Sequence, residues 1–124
     1  MKRIITAVIL LIFVLTAYFS GLFFIKNTCN TANDILSDCV TAYKNQNDAI
    51  EQAEKLEKFW SKKEPLLSAF VNHSSIDEIE LAISNLTVYS HSTEKELFYE
   101  YSKTVRTLLH QIMEDTKPSM HSIL

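Results

Sequence analysis

The residues of this chain best suited to bind a metal ion are four histidines, His73, His91, His110 and His121. Small zinc sites usually include two ligands about one helical turn apart, because such a pair already fixes two coordination positions. Successive histidines here are more than ten residues apart, so a site would need tertiary convergence, for example of His73 and His110 with Glu64 or Asp77. We therefore predict no metal site and no cofactor, and interpret His73 and His110 as residues at helix ends.

The two cysteines, Cys29 and Cys39, could form a disulfide only under restrictive conditions. On a continuous helix their separation of ten residues corresponds to about 15 Å, and a disulfide requires Cα atoms within about 7 Å. A bridge within the chain would therefore require the chain to fold back on itself. A bridge between Cys29 of two chains stays open, and it would give a homodimer. The favoured interpretation is two free thiols, with Cys39 acting as a small apolar side chain on a helix.

Patterns typical of enzymes are missing from the sequence. The single glycine, Gly21, lies inside an apolar run, which excludes a glycine-rich phosphate-binding loop. No serine lies in a strand-turn-helix nucleophile motif. Adjacent carboxylates such as Asp77 and Glu78 point in different directions on a helix. We predict no catalytic residue, and we predict that the protein is not an enzyme.

Charge and length narrow the function further. The chain has 124 residues and a formal net charge of −3. It contains no basic run that could neutralise phosphates, so we do not expect it to bind nucleic acid. Its length allows one small domain besides the apolar run near the N-terminus.

That apolar run covers residues 4–25, which are 22 residues without a charge. As a helix it would extend about 33 Å, enough to cross a hydrocarbon core of about 30 Å. Secretory signals have shorter apolar parts and small residues at the cleavage site. Here the large aromatic residues Tyr18, Phe19 and Phe23 occupy the positions that would guide cleavage. Cys29 follows Lys26 and two polar residues, unlike the cysteine of a lipoprotein signal. We predict a permanent transmembrane anchor over residues 4–25, in contact with the lipid bilayer.

Basic residues at the two ends of the anchor predict its orientation. Lys2 and Arg3 precede the run, and Lys26 alone follows it closely. Cytoplasmic flanks of membrane helices carry the larger share of Lys and Arg. We therefore expect residues 1–3 in the cytoplasm of the cell and residues 26–124 outside it, on a single-pass protein of the cell membrane.

Apolar residues at helical spacing continue through the rest of the chain, and strand-like alternation is missing. We expect a helical stalk over residues 26–46 and an extracytoplasmic helical domain over residues 47–124. The predicted inward stripes include Ile50, Ala53, Leu56 and Trp60, then Ile76, Ile79, Ile83 and Leu86, and finally Phe98, Val105, Leu109 and Ile112. The predicted fold is all-α, with an N-terminal transmembrane helix followed by a small antiparallel helical bundle.

Local signals place the helix ends. Asn47 or Asp48 could cap the helix that follows the stalk. Pro65 fits the first turn of a separate short helix through "LLSAFV". The segment "SIDE", which starts at Ser75, has the form of a capping box, and "TEKE", which starts at Thr93, repeats it.

Short motifs from Trp60 onward resemble one known family. They are Trp60 itself, His73 followed by "SIDEIE", then "ISNL", "LLHQI" and the C-terminal "MHSIL". Together with the single anchor they resemble the family catalogued as domain of unknown function 4363. The resemblance implies a bacterial protein of the plasma membrane. It also implies an accessory role beside another membrane protein, since members resemble proteins encoded next to small multi-span membrane proteins.

These observations lead to two functional expectations. The first is a non-enzymatic single-pass membrane protein whose extracytoplasmic bundle binds or stabilises another membrane or envelope protein. The alternative is an extracytoplasmic bundle that senses a ligand or a metal and acts through a membrane partner.

Overall fold

The computed structural model describes residues 1–46 and 48–116, and it is all-α over these residues. Its four helices are α1 (Lys2–Gln46), α2 (Ile50–Leu67), α3 (His73–Tyr89) and α4 (Lys95–Thr116). The predicted fold class is therefore confirmed. Pro118, His121 and the "MHSIL" segment lie outside the described residues.

The helices form an antiparallel four-helix bundle in which each helix packs against its neighbours in the chain. α1 contacts α2, α2 contacts α3, α3 contacts α4, and α4 closes the ring by contacting α1. Within the described residues, the diagonal pairs α1 with α3 and α2 with α4 do not pack closely. Connections of only a few residues impose this up-and-down order.

Buried side chains explain why the bundle closes in this way. On both α1 and α4 they recur at alternating intervals of four and three residues. These residues are Ile25, Cys29, Ala32, Leu36, Cys39 and Tyr43 on α1, and Phe98, Ser102, Val105, Leu109 and Ile112 on α4. This spacing places one narrow stripe toward a neighbouring helix, as in coiled coils. The predicted inward residues of α2, α3 and α4 named above all lie in the core or at its edge.

The second half of α1 is a bundle helix and does not protrude from the domain. Residues 26–46 are helical, as expected for the stalk, but Cys29, Leu36 and Cys39 are fully buried against the other helices. The stripe that α1 offers is as apolar as those of α2 and α4, so the bundle buries it. The helical domain consequently includes residues that the sequence assigned to a stalk.

The predicted helix boundaries at Pro65 and Ser75 are wrong. Pro65 lies inside the last turn of α2, which continues to Leu67, so no separate short helix forms there. Proline removes only one hydrogen bond to the preceding turn, and the burial of Leu67 favours continuing the helix. α3 is capped by Asn72, whose side chain accepts a hydrogen bond from the Ser74 amide at 3.2 Å. Ser75 therefore lies within the helix and forms no capping box.

Hydrogen bonds tie the two chain turns at one end of the bundle to each other. The Ala49 amide donates to the Ser90 carbonyl at 2.8 Å, and the Tyr43 hydroxyl donates to the Ser92 carbonyl at 2.8 Å. The Tyr43 ring also stacks on Phe98, with 3.9 Å between the ring centroids. We call this the distal end, because the apolar half of α1 leaves the bundle at the opposite end. The N-cap residue of α2 is Ala49, which has no side-chain cap bond, so Asp48 is not the cap that the sequence predicted. Asp48 precedes Ala49, and its side chain accepts a hydrogen bond from the Ile50 amide at 3.2 Å. Asn47 lies outside the described residues.

Candidate functional site: the junction between the projecting helix and the bundle

The N-terminal part of α1 projects from the bundle as an apolar rod. Every residue from 1 to 20 is exposed, including Phe13 at 72% and Phe19 at 61%. Among the described helices, α1 is the one long and apolar enough to cross a membrane. A helix that is apolar on all sides needs an apolar surrounding, because no face of it is suited to water.

Gly21 marks the point where this rod enters the bundle. It is the first buried residue of α1, and its α-carbon faces the ring of Phe70 in the loop between α2 and α3. A Cβ atom at this position would lie 2.6 Å from Cε1 of Phe70, far inside van der Waals contact. The absence of a side chain therefore allows the loop to approach α1 closely. The sequence could not reveal this contact, because nothing local links residues 21 and 70.

Aromatic rings and one lysine surround the same junction. The rings of Phe24 and Phe70 lie with their centroids 6.5 Å apart. The ammonium group of Lys63 lies 5.8 Å from the ring centroid of Phe24 and 5.7 Å from that of Phe59. These distances are typical of cation–π contacts. Lys63 thus joins α2 to α1 where α1 leaves the bundle.

Three large apolar side chains at the junction remain exposed. Phe23 is exposed at 73%, Leu66 at 57% and Phe70 at 48%. Phe23 belongs to α1, Leu66 to the last turn of α2, and Phe70 to the loop that follows. We call these three residues the apolar collar. It continues the exposed surface of the rod onto the bundle itself.

Both cysteine thiols lie in the bundle core. Cys29 and Cys39 are fully buried, and burial raises their pKa values to about 11 and about 12. The Cys39 thiol donates to the Ala49 carbonyl at 3.8 Å. Thiols in this state are protonated and shielded, so they react slowly. The two cysteines are free, and in this conformation Cys29 offers no surface for a bridge to a second chain.

The structure does not bring the three described histidines together. His73, His91 and His110 are all exposed, and His110 lies 3.7 Å from Glu114, one turn further along α4. Within residues 1–46 and 48–116, no group of three or more His, Cys, Asp or Glu residues is arranged to hold a metal. His121 lies outside the described residues. The hypothetical set of His73 and His110 with Glu64 or Asp77 is therefore not formed.

An acidic cluster lies between α2 and α3. Glu64 is half-buried, and its pKa is raised first by burial and then by the neighbouring carboxylates of Glu80 and Asp77. Its Oε1 atom and the indole Nε1 of Trp60, one turn earlier on α2, are buried without a hydrogen-bond partner among the described residues. Burial and the neighbouring carboxylates therefore both oppose ionisation of Glu64.

A groove between α1 and α4 carries a positive charge. It has a volume of about 410 Å³, and Cys29, Asn33, Arg106, Leu109 and His110 are among its lining residues. The Arg106 guanidinium donates to the Asn33 side-chain oxygen at 3.3 Å and to the Ser37 hydroxyl at 3.4 Å. Both partners are neutral, so these contacts leave the charge of Arg106 uncompensated.

One comparison with known proteins places the chain in a family. A family model described as Domain of unknown function (DUF4363) matches residues 19–123, which begin two residues before Gly21 and include the whole bundle. The chain therefore belongs to this family, as its motifs indicated. No curated protein and no solved structure matches it.

Proposed function

We propose that this chain is a non-enzymatic, single-pass membrane protein whose helical bundle lies outside the cytoplasm and binds or stabilises another membrane or envelope protein. The observation that carries the proposal is the rod formed by residues 1–20, whose large apolar side chains are exposed on every side. Soluble proteins rarely expose a continuous apolar surface of this size. A lipid bilayer covers such a surface along its whole length.

The charges at the ends of the rod support an orientation. Lys2 and Arg3 precede the apolar run and Lys26 follows it, so the positive-inside rule favours a cytoplasmic N-terminus. In that orientation the bundle and every surface that it offers to a partner would lie outside the cytoplasm.

Continuity between the rod and the bundle favours a role in positioning a partner. α1 is one helix from Lys2 to Gln46, so no loop or hinge separates the anchor from the core of the bundle. A protein bound to the bundle would consequently be held at a defined distance from the membrane. This arrangement suits an accessory subunit better than a flexibly tethered domain.

The outer face of α3 is the best surface on the bundle for a partner. Leu81 and Val88 are exposed at 65% and 61%, and their spacing of seven residues places them on one side of the helix. Large exposed apolar residues on a helix face are typical of helix-mediated contacts. Both residues lie away from the apolar collar, so lipid at the junction would not cover them.

Co-purification tests this proposal. The full chain, tagged at its C-terminus, is extracted in a mild detergent, and the proteins that accompany it in stoichiometric amounts are identified by mass spectrometry. We expect a membrane or envelope protein, and we expect the double substitution L81E/V88E to release it. The matched control is T104E/Q111E, which adds the same charge at the same spacing on exposed positions of α4.

The outcomes separate the parts of the proposal. Retention of the partner by the control and its loss from L81E/V88E would support the α3 face. Equal retention by both variants would remove that face as the binding surface. A chain that purifies without any stoichiometric partner, under conditions that preserve other membrane complexes, would contradict the accessory role.

The groove between α1 and α4 favours ligand sensing as a second candidate function. The exposed Arg106 guanidinium, whose hydrogen-bond partners among the described residues are neutral, suits a carboxylate or phosphate group of a small molecule. In a thermal-shift assay, small carboxylates or inorganic phosphate would raise the melting temperature of the native chain and leave that of Arg106→Gln unchanged. A shift by divalent metals that His73→Ala abolishes would instead favour metal sensing.

A further inference from the structure

We propose that the bundle makes a second contact with the membrane: Leu66 and Phe70 of the apolar collar enter the lipid leaflet on the bundle side. This inference rests on the membrane anchorage proposed above. It adds a lipid-binding surface to the bundle, which would otherwise be connected to the membrane only through α1. The ligand is phospholipid, which these two side chains would contact where the acyl chains meet the headgroups.

The depth of the loop relative to the apolar run carries the argument. Phe70 contacts α1 at Gly21, which lies four residues before the end of the apolar run at residue 25. Four helical residues correspond to about 6 Å along the axis. If residues 4–25 occupy the hydrocarbon core, the ring of Phe70 lies about 6 Å inside its boundary.

The rod is too short for the outer boundary of the hydrocarbon core to lie on the cytoplasmic side of the loop. Residues 4–20 would extend about 26 Å, less than the hydrocarbon core of about 30 Å, and tilting the helix increases the shortfall. Lys2 and Arg3 limit any shift of the helix toward the bundle side, because such a shift would draw their charges into the hydrocarbon core. A hydrocarbon core of average thickness therefore extends past Gly21, the level at which Phe70 contacts α1.

The side chains of the junction have the chemistry of a membrane interface. Phe23, Leu66 and Phe70 are exposed and apolar. The Lys63 ammonium group lies 5.8 Å from the ring centroid of Phe24. The aliphatic stem of Lys63 can lie along apolar surface while this ammonium group reaches the headgroups. Peripheral membrane proteins use the same combination of inserted apolar side chains and flanking cations.

Lipid is favoured over a protein partner at this surface because the collar continues the rod without a break. A protein covering the collar would have to follow it to the depth of Gly21 beside α1. Lipid is already required at that depth by the rod itself. A protein contact is consequently an outcome of the test and not part of the proposal.

Spin labels on introduced cysteines test the inference in the full chain, reconstituted into nanodiscs of phosphatidylcholine and phosphatidylglycerol. The test positions are Leu66→Cys and Phe70→Cys; Leu66→Cys keeps the ring at Gly21 in place. Phe13→Cys reports the centre of the rod, and Val88→Cys reports the distal end of α3. The native cysteines are fully buried, and the unsubstituted chain, which should take up no label, serves as the control for this.

The measurement is the accessibility of each label to oxygen, which concentrates in lipid, relative to a water-soluble nickel chelate. We expect a ratio at positions 66 and 70 that is several-fold higher than at position 88 and lower than at position 13. A high ratio at 13 with values at 66 and 70 equal to that at 88 would overturn the inference and leave the anchorage intact. A low ratio at 13 would overturn the anchorage and the inference together. Labels at 66 and 70 that reach neither reagent would indicate protein contact and would also overturn it.

Discussion

Replacing Gly21 by alanine should have opposite effects depending on whether Phe70 is present. In the native chain the new methyl group would lie 2.6 Å from Cε1 and 3.0 Å from Cδ1 of the Phe70 ring, so the ring must move. Overpacking of this kind costs about 1–3 kcal/mol. Alanine also favours the helix by about 1 kcal/mol over glycine. Gly21→Ala alone should therefore lower the free energy of unfolding by up to about 2 kcal/mol.

In a Phe70→Ala background the same substitution should be stabilising. The ring is then missing, and the helix preference of about 1 kcal/mol remains. The difference between the two backgrounds, a coupling free energy of about 1–3 kcal/mol, measures the contact itself.

The assay uses the one tryptophan of the chain as its reporter. Trp60 is 1% exposed in the bundle core, so its emission shifts to longer wavelength when the bundle unfolds. Urea titrations of the four chains in one detergent give the free energies of the cycle. A coupling free energy below about 0.5 kcal/mol is within ordinary additivity error, and it would refute the close approach of Phe70 to Gly21.

Three further predictions concern the bundle. Cys29 and Cys39 should react with a maleimide only after unfolding, because burial raises their pKa values to about 11 and about 12; rapid labelling of the folded chain would contradict their burial. Glu64→Gln should raise the melting temperature at pH 7, because a carboxyl group whose pKa is raised on folding makes the folded chain less stable as the pH rises. The gain should shrink as the pH falls toward 4, and Glu54→Gln, on the exposed face of the same helix, serves as the matched control. Tyr43→Phe removes one hydrogen bond to a carbonyl across the distal turns and should lower the free energy of unfolding by about 0.5–1.5 kcal/mol in the same urea titrations; an unchanged midpoint would show that the bond contributes nothing.

Helix content and the inward faces could be predicted from the sequence because both depend on local periodicity. Ile76, Ile79, Ile83 and Leu86, for example, define a stripe at helical spacing without any tertiary information. The one described helix that is long and apolar enough to cross a membrane could also be predicted, from length and composition alone. These properties leave a signal in one stretch of residues.

The remaining features depend on residues that are distant in the chain. The sequence of residues 26–46 is compatible with a stalk and with a bundle helix, because an apolar stripe does not indicate whether other helices of the chain pack against it. The contact of Gly21 with Phe70 joins residues on two elements, and the sequence marks it only by a lone glycine.

The positions of the helix ends also depend on tertiary packing. Asn72 and Ser75 are both good capping residues, and only the packing of the loop decides between them. Pro65 is compatible with the first turn of a helix and is also tolerated near the end of one when tertiary contacts favour continuing it. Local propensity alone leaves both choices open.

The central claim is that the chain is anchored in the membrane with its bundle outside the cytoplasm. Labelling of intact cells tests this claim most directly. Thr104→Cys places a thiol on an exposed position of α4, while both native thiols stay buried. A membrane-impermeant maleimide that passes the cell wall is added before or after lysis, and the label is followed in the membrane fraction. The account predicts labelling of position 104 in intact cells, on a chain that remains in the membrane fraction after a high-salt wash. Labelling only after lysis, or a chain recovered in the soluble fraction, would contradict it.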